Sequence, residues 1–441
     1  MVETAMKREE LIMVCTCDIA GQVRGKGFPA KALPGRRARG VGWVPTNSMI
    51  STFGPIGDTP FGALGDLMLV PDPATEVRVD FGDESAVEHF FLGDINETDG
   101  RPWSCCPRHF LKRGLDALDR AVGVRLFAAF EQEFAYTGVE DRPGSAYSLD
   151  AVRRQGRFGE VFLRALRAAG VEPDTFMAEY GPRQFEVTCE PSTGVTAADH
   201  AVVVREMARA TAHRLGHRAS FTPIAHPEAV GNGVHIHMSL RDRLGRPVTY
   251  DPKRAYGLTQ TAEHFMAGVI HHMAALCAVT APSLISYIRL TPNRWAPTFA
   301  NIAIGDREAS IRVCPIFAGG SEAAKQFNLE FRPADAAASP YLALGAVVHA
   351  GVDGIAKKRR LPKPAAKGPA KMTKRQLKAA GIKPLPGSLA AALDALEATP
   401  EAADWFGPVF LDLYLRHKRS EIKLLDGTDA AEQCRRYAEV Y

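Results

Sequence analysis

The chain has 441 residues, of which 46% are hydrophobic and 24% charged, so it can bury a large core and form two domains. Its formal net charge is only +4, which gives no case for nucleic-acid binding. Eight cysteines without a CxxC pair, together with no secretory signal, predict a cytoplasmic location. The uncharged stretch 264–288 contains three histidines and a proline, so it is interpreted as a buried helix and not as a membrane span.

The first hundred residues contain short β segments and turns. Apolar, β-prone runs occur at 11–18, 66–70 and 77–79, and a glycine-rich stretch occupies 39–55. We therefore predict a small, sheet-rich domain over residues 1–100. Its boundary is expected between Asp99 and Pro107, where glycine and proline interrupt the chain.

From residue 106 onward, helical patterns alternate with short strands, and helices are predicted at 201–215 and 341–355. This pattern predicts an α+β catalytic domain over residues 106–441. Residues 357–387 carry Lys, Arg, Pro and Gly without apolar periodicity, which predicts a solvated loop or flap. A binding tail for an acidic partner is the alternative for that segment. The end of the chain, 388–441, returns to amphipathic helix.

Four short segments alternate polar residues of the metal-ligand or phosphate-binding type with apolar ones. Residues i and i+2 of a strand share a face, so each segment predicts a strand with one polar face. The residues on these faces are Glu131 and Glu133; His235, His237 and Ser239; Arg312; and Asn328, Glu330 and Arg332. One such face is usually wetted by solvent, but several faces rich in Glu, His and Arg indicate a shared cavity. Carboxylates and imidazoles suit a divalent cation, and arginines suit a phosphate beside it.

The usual glycine-rich phosphate loops are missing from the sequence. No GxxxxGK[ST] motif occurs, and Gly231-Asn-Gly233 leads into a strand instead of a helix, which argues against a dinucleotide fold. Nucleotide binding is therefore expected to depend on metal ions and arginines.

Six ordered segments resemble the motifs of the glutamine synthetase family. They are residues 131–133, 179–186, 231–239, 286–289, 307–312 and 330–335. Residues 65–72 resemble the family's first-domain signature, and the match covers about residues 10–440. The resemblance implies a β-grasp-like first domain and a larger catalytic domain. It also implies a homo-oligomeric ring, expected to be a dodecamer, with each active site between neighbouring subunits.

The resemblance further implies which residues bind each ligand. One Mg²⁺ or Mn²⁺ ion is expected on Glu133, Glu179 and Glu186. A second is expected on Glu131, His235 and Glu330. Glutamate is expected on Arg289, Arg332 and the backbone of Gly231. The phosphates of ATP are expected on Arg307, Arg312, His237 and Ser239. The expected catalytic residues are Arg289, Arg307 and Arg312, because arginines neutralise the charge that builds when a carboxylate attacks the ATP γ-phosphorus.

Two loops depart from the members of the family that use ammonia. Trp295 stands where those members have a flap glutamate, and Pro45-Thr-Asn-Ser48 replaces an Asp-Gly-Ser-Ser loop. An indole cannot accept a proton from ammonium, but it can line an apolar or cation–π pocket. Val230 and Asn328 replace an asparagine and an arginine of the family, which removes one glutamate contact and one phosphate contact.

These departures predict an ATP-dependent ligase that joins an organic amine to the side-chain carboxylate of glutamate through a γ-glutamyl phosphate. The alternatives are a true glutamine synthetase that uses ammonia, and a non-catalytic metal-binding or structural pseudoenzyme. The presence of all six expected metal ligands argues against the pseudoenzyme. With Trp295 as the wall of the amine pocket, a neutral aromatic or hydrophobic amine is favoured over a polyamine, because the sequence reveals no acidic pocket for a second charge.

Overall fold

The structure, a computed structural model, describes residues 8–292, 294–317, 319–364 and 368–441. The amino-terminal domain contains the strands β1 (Leu11–Cys17), β2 (Val23–Pro29), β3 (Val41–Trp43), β4 (Leu67–Pro71), β5 (Val77–Val79) and β6 (Glu88–Glu97) and the helix α1 (Leu33–Arg39). They form a sheet in the order β2-β1-β6-β4-β3, with β5 also paired to β6. Its central strand is β6, whose middle residues, 89–93, are all buried.

The second domain is built on a larger sheet with the order β14-β15-β16-β12-β7-β9-β8 in the described residues, and β10 and β11 also pair with β7. Its strands are β7 (Val124–Tyr136), β8 (Pro173–Ala178), β9 (Gln184–Cys189), β10 (Ser192–Thr193), β11 (Ala219–Ser220), β12 (Val234–Asp242), β14 (Ile302–Ile304), β15 (Ile311–Val313) and β16 (Leu329–Phe331). A separate pair is formed by β13 (Phe299–Ala300) and β17 (Lys383–Pro384).

Helices cover the outer face of this sheet and complete the carboxyl-terminal part of the chain. They are α2 (Pro107–Val122), α3 (Leu149–Arg154), α4 (Phe158–Ala168), α5 (Val195–Arg214), α6 (Gln260–His271), α7 (Met273–Thr280), α8 (Ser286–Arg289), α9 (Gly320–Gln326), α10 (Pro340–Ala356), α11 (Lys374–Ala379), α12 (Leu389–Glu397), α13 (Pro400–Phe406), α14 (Pro408–Leu424) and α15 (Ala430–Val440). Glycines let α6 and α10 approach closely, because a Cβ on Gly268 would lie 2.1 Å from the Ala350 carbonyl oxygen.

The strand register brings the polar faces together. Across the β7–β12 pair, Glu131 stands opposite His235, and across the β7–β9 pair, Glu133 stands opposite Glu186. Glu330 of β16 stands opposite His237 of β12 on one side and opposite Arg312 of β15 on the other. A shift of one residue in any of these pairs would turn its polar side chains to the opposite face of the sheet.

The predicted α+β class, with a small sheet domain before a larger mixed domain, is confirmed. The stretch 264–288 contributes the buried helices α6 and α7, and none of the described helices is long and apolar enough to span a bilayer. The prediction of a solvated loop or flap over 357–387 was wrong in part. That segment contains α11, whose start is capped by Thr373, and β17, which pairs with β13; residues 365–367 lie outside the described residues.

A buried arginine joins the two domains. Arg108 on α2 is 1% exposed, and its guanidinium donates to Asp199 on α5 at 2.9 and 3.0 Å. It also donates to Asp72 at 2.9 Å and to Asp94 at 3.1 Å, both in the amino-terminal domain. Each donor of the planar fork therefore has a carboxylate partner, as burial of a charge requires. The exact domain boundary, placed at 100–106 from the sequence, stays a prediction.

Candidate active site

A cavity of about 810 Å³ lies against the polar face of the larger sheet. Its wall combines carboxylates with arginines and open aromatic rings. The carboxylates are Glu131, Glu133, Glu179, Glu186 and Glu228; the arginines are Arg289, Arg294, Arg307, Arg312 and Arg332; the aromatic residues are Tyr147, Tyr180 and Trp295. Gly231 and His235 also line it. The structure thus brings together most of the residues that the sequence predicted.

Glu131 is the centre of the first half of this cluster. It accepts hydrogen bonds from His235 Nδ1 at 2.7 Å and from His237 Nε2 at 3.1 Å. Burial opposes its ionisation, but the two histidines outweigh burial and hold the pKa of Glu131 well below its usual value. Possible metal-ligand atoms of Glu131, Glu133 and His235 lie within 4.8 Å of one another, and so do those of Glu131, His237 and Glu330.

Three further carboxylates, Glu133, Glu179 and Glu186, form the second half. Glu133 accepts from the backbone N–H of Gly233 at 2.9 Å and from Gln184 Nε2 at 3.0 Å. Glu179 accepts from the Tyr147 hydroxyl at 3.2 Å. Burial, together with the neighbouring Glu179 and Glu131 carboxylates, raises the pKa of Glu133 to about 8. Burial and the same neighbours also raise the pKa of Glu186. A bound cation would relieve this repulsion, so the donor set fits a hard divalent metal.

Glu330 is held by two arginines instead of lining the cavity. It accepts from Arg312 Nε and from Arg332 Nη1, and it is 1% exposed. His235 Nδ1 lies 3.4 Å from Glu330, which keeps this carboxylate at the edge of the histidine cluster. Asn328, at the position of the family's arginine, contacts His237 Nδ1 at 2.9 Å through its amide oxygen.

Arg289 is almost fully buried, although part of it lines the cavity. Its Nη2 donates to the carbonyls of Pro333 and Ala334, and its Nε lies 3.6 Å from Asp335 without a hydrogen-bond partner in the described structure. Gly231 packs directly on this arginine, since a Cβ at Gly231 would lie 2.3 Å from Arg289 Cγ. The close approach explains why glycine is required there and leaves the Gly231 backbone at the cavity wall.

Trp295 lies in the loop 290–297 that follows Arg289, and this loop is called the flap below. Its side chain is 58% exposed and lines the cavity, and its backbone adopts φ 52°, a left-handed value that bulky residues rarely adopt. The Trp295 carbonyl accepts from Arg332 Nη2 at 3.2 Å, which ties the flap to β16. Such strained residues persist where the surroundings hold them, and they concentrate at functional sites.

Of the other predicted residues, Arg307 lines the cavity. His237 is not among the described lining residues, but it binds Glu131, which lines the cavity. Ser239 shares the face of His235 and His237 on β12 but stands opposite Phe127, and it is not among the described residues that line the cavity.

Sequence reasoning missed several residues of the site, among them Gln184 and Tyr180, both inside the 179–186 motif, and Tyr147, Glu228 and Arg294. Gln184 links the Glu133 carboxylate to the Gly231 carbonyl, with distances of 3.0 Å to each, and its place inside the 179–186 motif was the available signal. Tyr147, Glu228 and Arg294 come from irregular loops, where residue spacing gives no indication of direction.

Comparison with known proteins agrees with this arrangement. Residues 1–103 match the glutamine synthetase N-terminal domain, and residues 104–437 match the glutamine synthetase catalytic domain. A gamma-glutamylpolyamine synthetase of Streptomyces coelicolor is 34% identical over 432 residues, which cover 95% of this chain and 91% of that protein. A glutamine synthetase of Thermus thermophilus is 33% identical over 338 residues, 74% of each chain.

Solved structures give the same result. A crystal structure described as a novel glutamine synthase homolog superposes with a TM-score of 0.91 at 41% identity, covering 99% of this chain and 100% of that one. A GmaS/ADP complex superposes with a TM-score of 0.81 at 25% identity, covering 96% and 95%. Relatives of this kind use ATP and divalent metal ions. The chain therefore belongs to the glutamine synthetase family and is an ATP-dependent carbon–nitrogen ligase.

Proposed function

We propose that this enzyme joins glutamate to an organic amine, forming a γ-glutamyl amide through a γ-glutamyl phosphate. The observation that carries the proposal is Trp295, which lines the cavity at the flap position where ammonia-using relatives have a glutamate. A small hydrated cation gains little from an indole, whereas an amine with an apolar body can bury surface against it. The 34% identity with a gamma-glutamylpolyamine synthetase supports an organic amine over ammonia.

The carboxylate and histidine cluster fits two Mg²⁺ or Mn²⁺ ions. In this proposal Glu133, Glu179 and Glu186, which all line the cavity, hold one ion, and Glu131, His235 and Glu330 hold the other. The described ligand atoms group differently in the protein alone, since those of Glu133 lie within 4.8 Å of Glu131 and His235, and those of Glu330 within 4.8 Å of Glu131 and His237. Burial and the neighbouring carboxylates together raise the pKa of Glu133 in the protein alone, and a bound cation would offset both effects. When bound, such ions supply positive charge that neutralises the phosphate oxygens.

The arginines divide between the two anionic substrates. Arg289 and Arg332 both line the cavity, and their positive charge assigns them to the carboxylates of glutamate. Arg307 and Arg312, with His237 and Ser239, are assigned to the phosphates of ATP. The γ-carboxylate oxygen attacks the γ-phosphorus and ADP leaves, and these arginines oppose the charge that accumulates there.

The amine then completes the reaction. Its nitrogen bonds to the γ-carbon, and the C–O bond to phosphate breaks. A protonated organic amine loses two protons in the reaction, of which one leaves with inorganic phosphate and one passes to solvent. The side chain of Trp295, with Pro292 and Ala296 beside it in the cavity wall, is positioned to limit the access of water to the acyl phosphate.

The proposed assembly is a homo-oligomeric ring, a dodecamer, in which each active site lies between neighbouring subunits. What supports it is the membership of the glutamine synthetase family. Light scattering on the purified protein measures the subunit number directly; a monomer would contradict the proposal.

Phosphate release with ATP, Mg²⁺ and glutamate, measured across ammonium, alkylamines, diamines, ethanolamine and aromatic amines, tests the function. We expect release with an organic amine and little with ammonium. Release that is as fast with ammonium would favour a true glutamine synthetase. No release with any amine would favour the pseudoenzyme.

Replacing Trp295 by glutamate is expected to shift preference toward ammonium. The new carboxylate can bind the ammonium ion and take its proton, while the apolar amine loses a cation–π contact of about 0.5–2 kcal/mol. The ratio of kcat/KM for the organic amine over ammonium should fall at least about tenfold, since 1.4 kcal/mol corresponds to a factor of ten. Trp295→Phe, which keeps an aromatic face, is the matched control; an equal fall in both variants would contradict the role of charge.

Replacing Arg312 by lysine is expected to lower kcat/KM about 10²-fold, because lysine keeps the charge but loses the planar fork that binds two oxygens. Arg243→Lys is the control, since Arg243 forms an exposed pair with Asp119 outside the cavity. Steady-state kinetics with varied ATP measure both. Full activity of the Arg312 variant would make this arginine a structural partner of Glu330 only.

A further inference from the structure

One carboxylate of the cavity has no assigned task. Four of the five glutamates in the wall belong to the proposed metal-ligand set, and the fifth is Glu228. Glu228 is exposed and lies in the loop before Gly231. Within the described part of the chain, its carboxylate has neither a hydrogen bond nor an ion pair. The cavity therefore offers one negative group that is not engaged by the protein.

The loop that carries Glu228 is fixed in place. Arg294, next to Trp295 in the flap, donates through Nη1 to the Ala229 carbonyl at 2.5 Å and through Nη2 to the Pro227 carbonyl at 2.6 Å. The two accepting carbonyls flank Glu228 in the chain. A single guanidinium thus joins the flap to the Glu228 loop on both sides of the free carboxylate, which preorganises it at the cavity wall.

Two exposed aromatic side chains line the same cavity as Glu228. They are Trp295, which is 58% exposed, and Tyr180, which is 62% exposed. Large rings left open in a cavity supply apolar surface and a cation–π face for a ligand. An alkyl chain with a terminal ammonium group combines the two features that this wall presents, an apolar surface and a carboxylate.

Given the ligase activity proposed above, we propose that Glu228 binds the distal ammonium group of a diamine or polyamine substrate, and that Arg294 positions Glu228 for this contact. The alkyl chain lies along Trp295 and Tyr180, and the other amine attacks the γ-glutamyl phosphate. The neutral aromatic amine favoured from the sequence rested on the lack of an acidic pocket, and Glu228 supplies that acidic group.

The test compares 1,4-diaminobutane with butylamine, which share a four-carbon chain and differ in the second ammonium group. The measured quantity is the ratio of kcat/KM for the diamine over the monoamine. We expect the wild-type enzyme to prefer the diamine, and Glu228→Gln to lower the ratio about ten- to hundredfold, mainly through the KM of the diamine, because one hydrogen bond to a charged group is lost. Glu190→Gln, which removes an exposed carboxylate outside the cavity, should leave the ratio unchanged.

A double-mutant cycle tests the positioning role of Arg294. Arg294→Met removes both carbonyl contacts and should lower the same ratio by about three- to tenfold. If Arg294 acts through Glu228, adding Arg294→Met to Glu228→Gln should lower the ratio no further. An additive effect would show that the arginine supports the flap independently, and it would overturn the positioning role.

The outcomes separate this inference from the proposed function. If the wild-type enzyme uses butylamine as well as 1,4-diaminobutane, or if Glu228→Gln leaves the ratio unchanged, the inference is overturned and the amine ligase stands. If neither amine nor any other amine supports phosphate release, both the proposed function and this inference are overturned. Unchanged melting temperatures of the variants exclude misfolding as the cause.

Discussion

Replacing Glu133 by glutamine is expected to abolish turnover while the protein stays folded. Glutamine keeps the size of the side chain and an oxygen for the Gly233 N–H, but it removes the charge that a divalent ion requires. Loss of one charge-stabilising element at such a site typically lowers the rate about 10²- to 10³-fold. Phosphate release at saturating ATP, glutamate and amine measures the effect, with Glu190→Gln as the control. Near-normal activity of the Glu133 variant would contradict the two-metal assignment.

The same substitution has an expected effect on stability that is opposite in sign to its effect on activity. The pKa of Glu133 is raised from 4.5 to about 8. Between these two pH values, Glu133 is therefore protonated in the folded, metal-free protein but ionised in the unfolded chain. The resulting stabilisation is present below the unfolded pKa and is lost as pH rises from about 4.5 to about 8. The metal-free Glu133→Gln variant has no ionisable group at this position, so its stability does not fall with pH for this reason. Its melting temperature should exceed that of the wild type at pH 8, and the difference should shrink at pH 5.

Replacing Arg108 by methionine is expected to destabilise the fold by about 3–5 kcal/mol, the usual cost of removing one partner of a buried ion pair. Asp199, which is 5% exposed, would keep only the Tyr341 hydroxyl, at 2.7 Å, as a hydrogen-bond donor to its carboxylate among the described residues. The amino-terminal domain would also lose two links, through Asp72 and Asp94, to the catalytic domain. Denaturant unfolding followed by circular dichroism measures this cost.

The matched control for that experiment is Arg101→Met. Arg101 pairs with Asp99 at 2.7 Å, but their side chains are 79% and 53% exposed. Exposed pairs of this kind contribute about 0–1 kcal/mol, so the control should unfold within that margin of the wild type. An equally small effect at Arg108 would show that the joint between the domains is not a main determinant of stability.

The part of the site that lies on the sheet could be predicted from the sequence because the side chains of a strand alternate between only two faces. Alternation in 130–134 and 234–239 indicated that Glu131, Glu133, His235 and His237 lie on polar faces, and the register of β7 and β12 brings those faces together. Family motifs then supplied Glu179, which lies in a loop, and Glu186, which lies on β9. Their roles at the metal ions stay predictions.

The remaining part of the site depends on contacts between distant loops. Nothing in the spacing of 227–229 and 294 indicates that Arg294 binds two carbonyls of that loop. The 357–387 segment misled for a related reason. Its composition is typical of a solvated loop, yet a strand of two residues pairs with β13, because backbone hydrogen bonds to a neighbouring strand do not require apolar side chains.

That small pairing has a consequence for how substrates enter and leave. The flap begins at the buried Arg289, and just beyond its far end β13 pairs with β17, with an added hydrogen bond from Leu385 N–H to the Thr298 carbonyl at 2.9 Å. Between these anchors, Arg294 and the Trp295 carbonyl also bind the 227–229 loop and β16, so the described part of the loop is held at several points. We expect wide opening of this loop, as release of a bulky amide would require, to break these contacts or the β13–β17 pairing, so weakening that pairing should change the release of large amides before that of small ones.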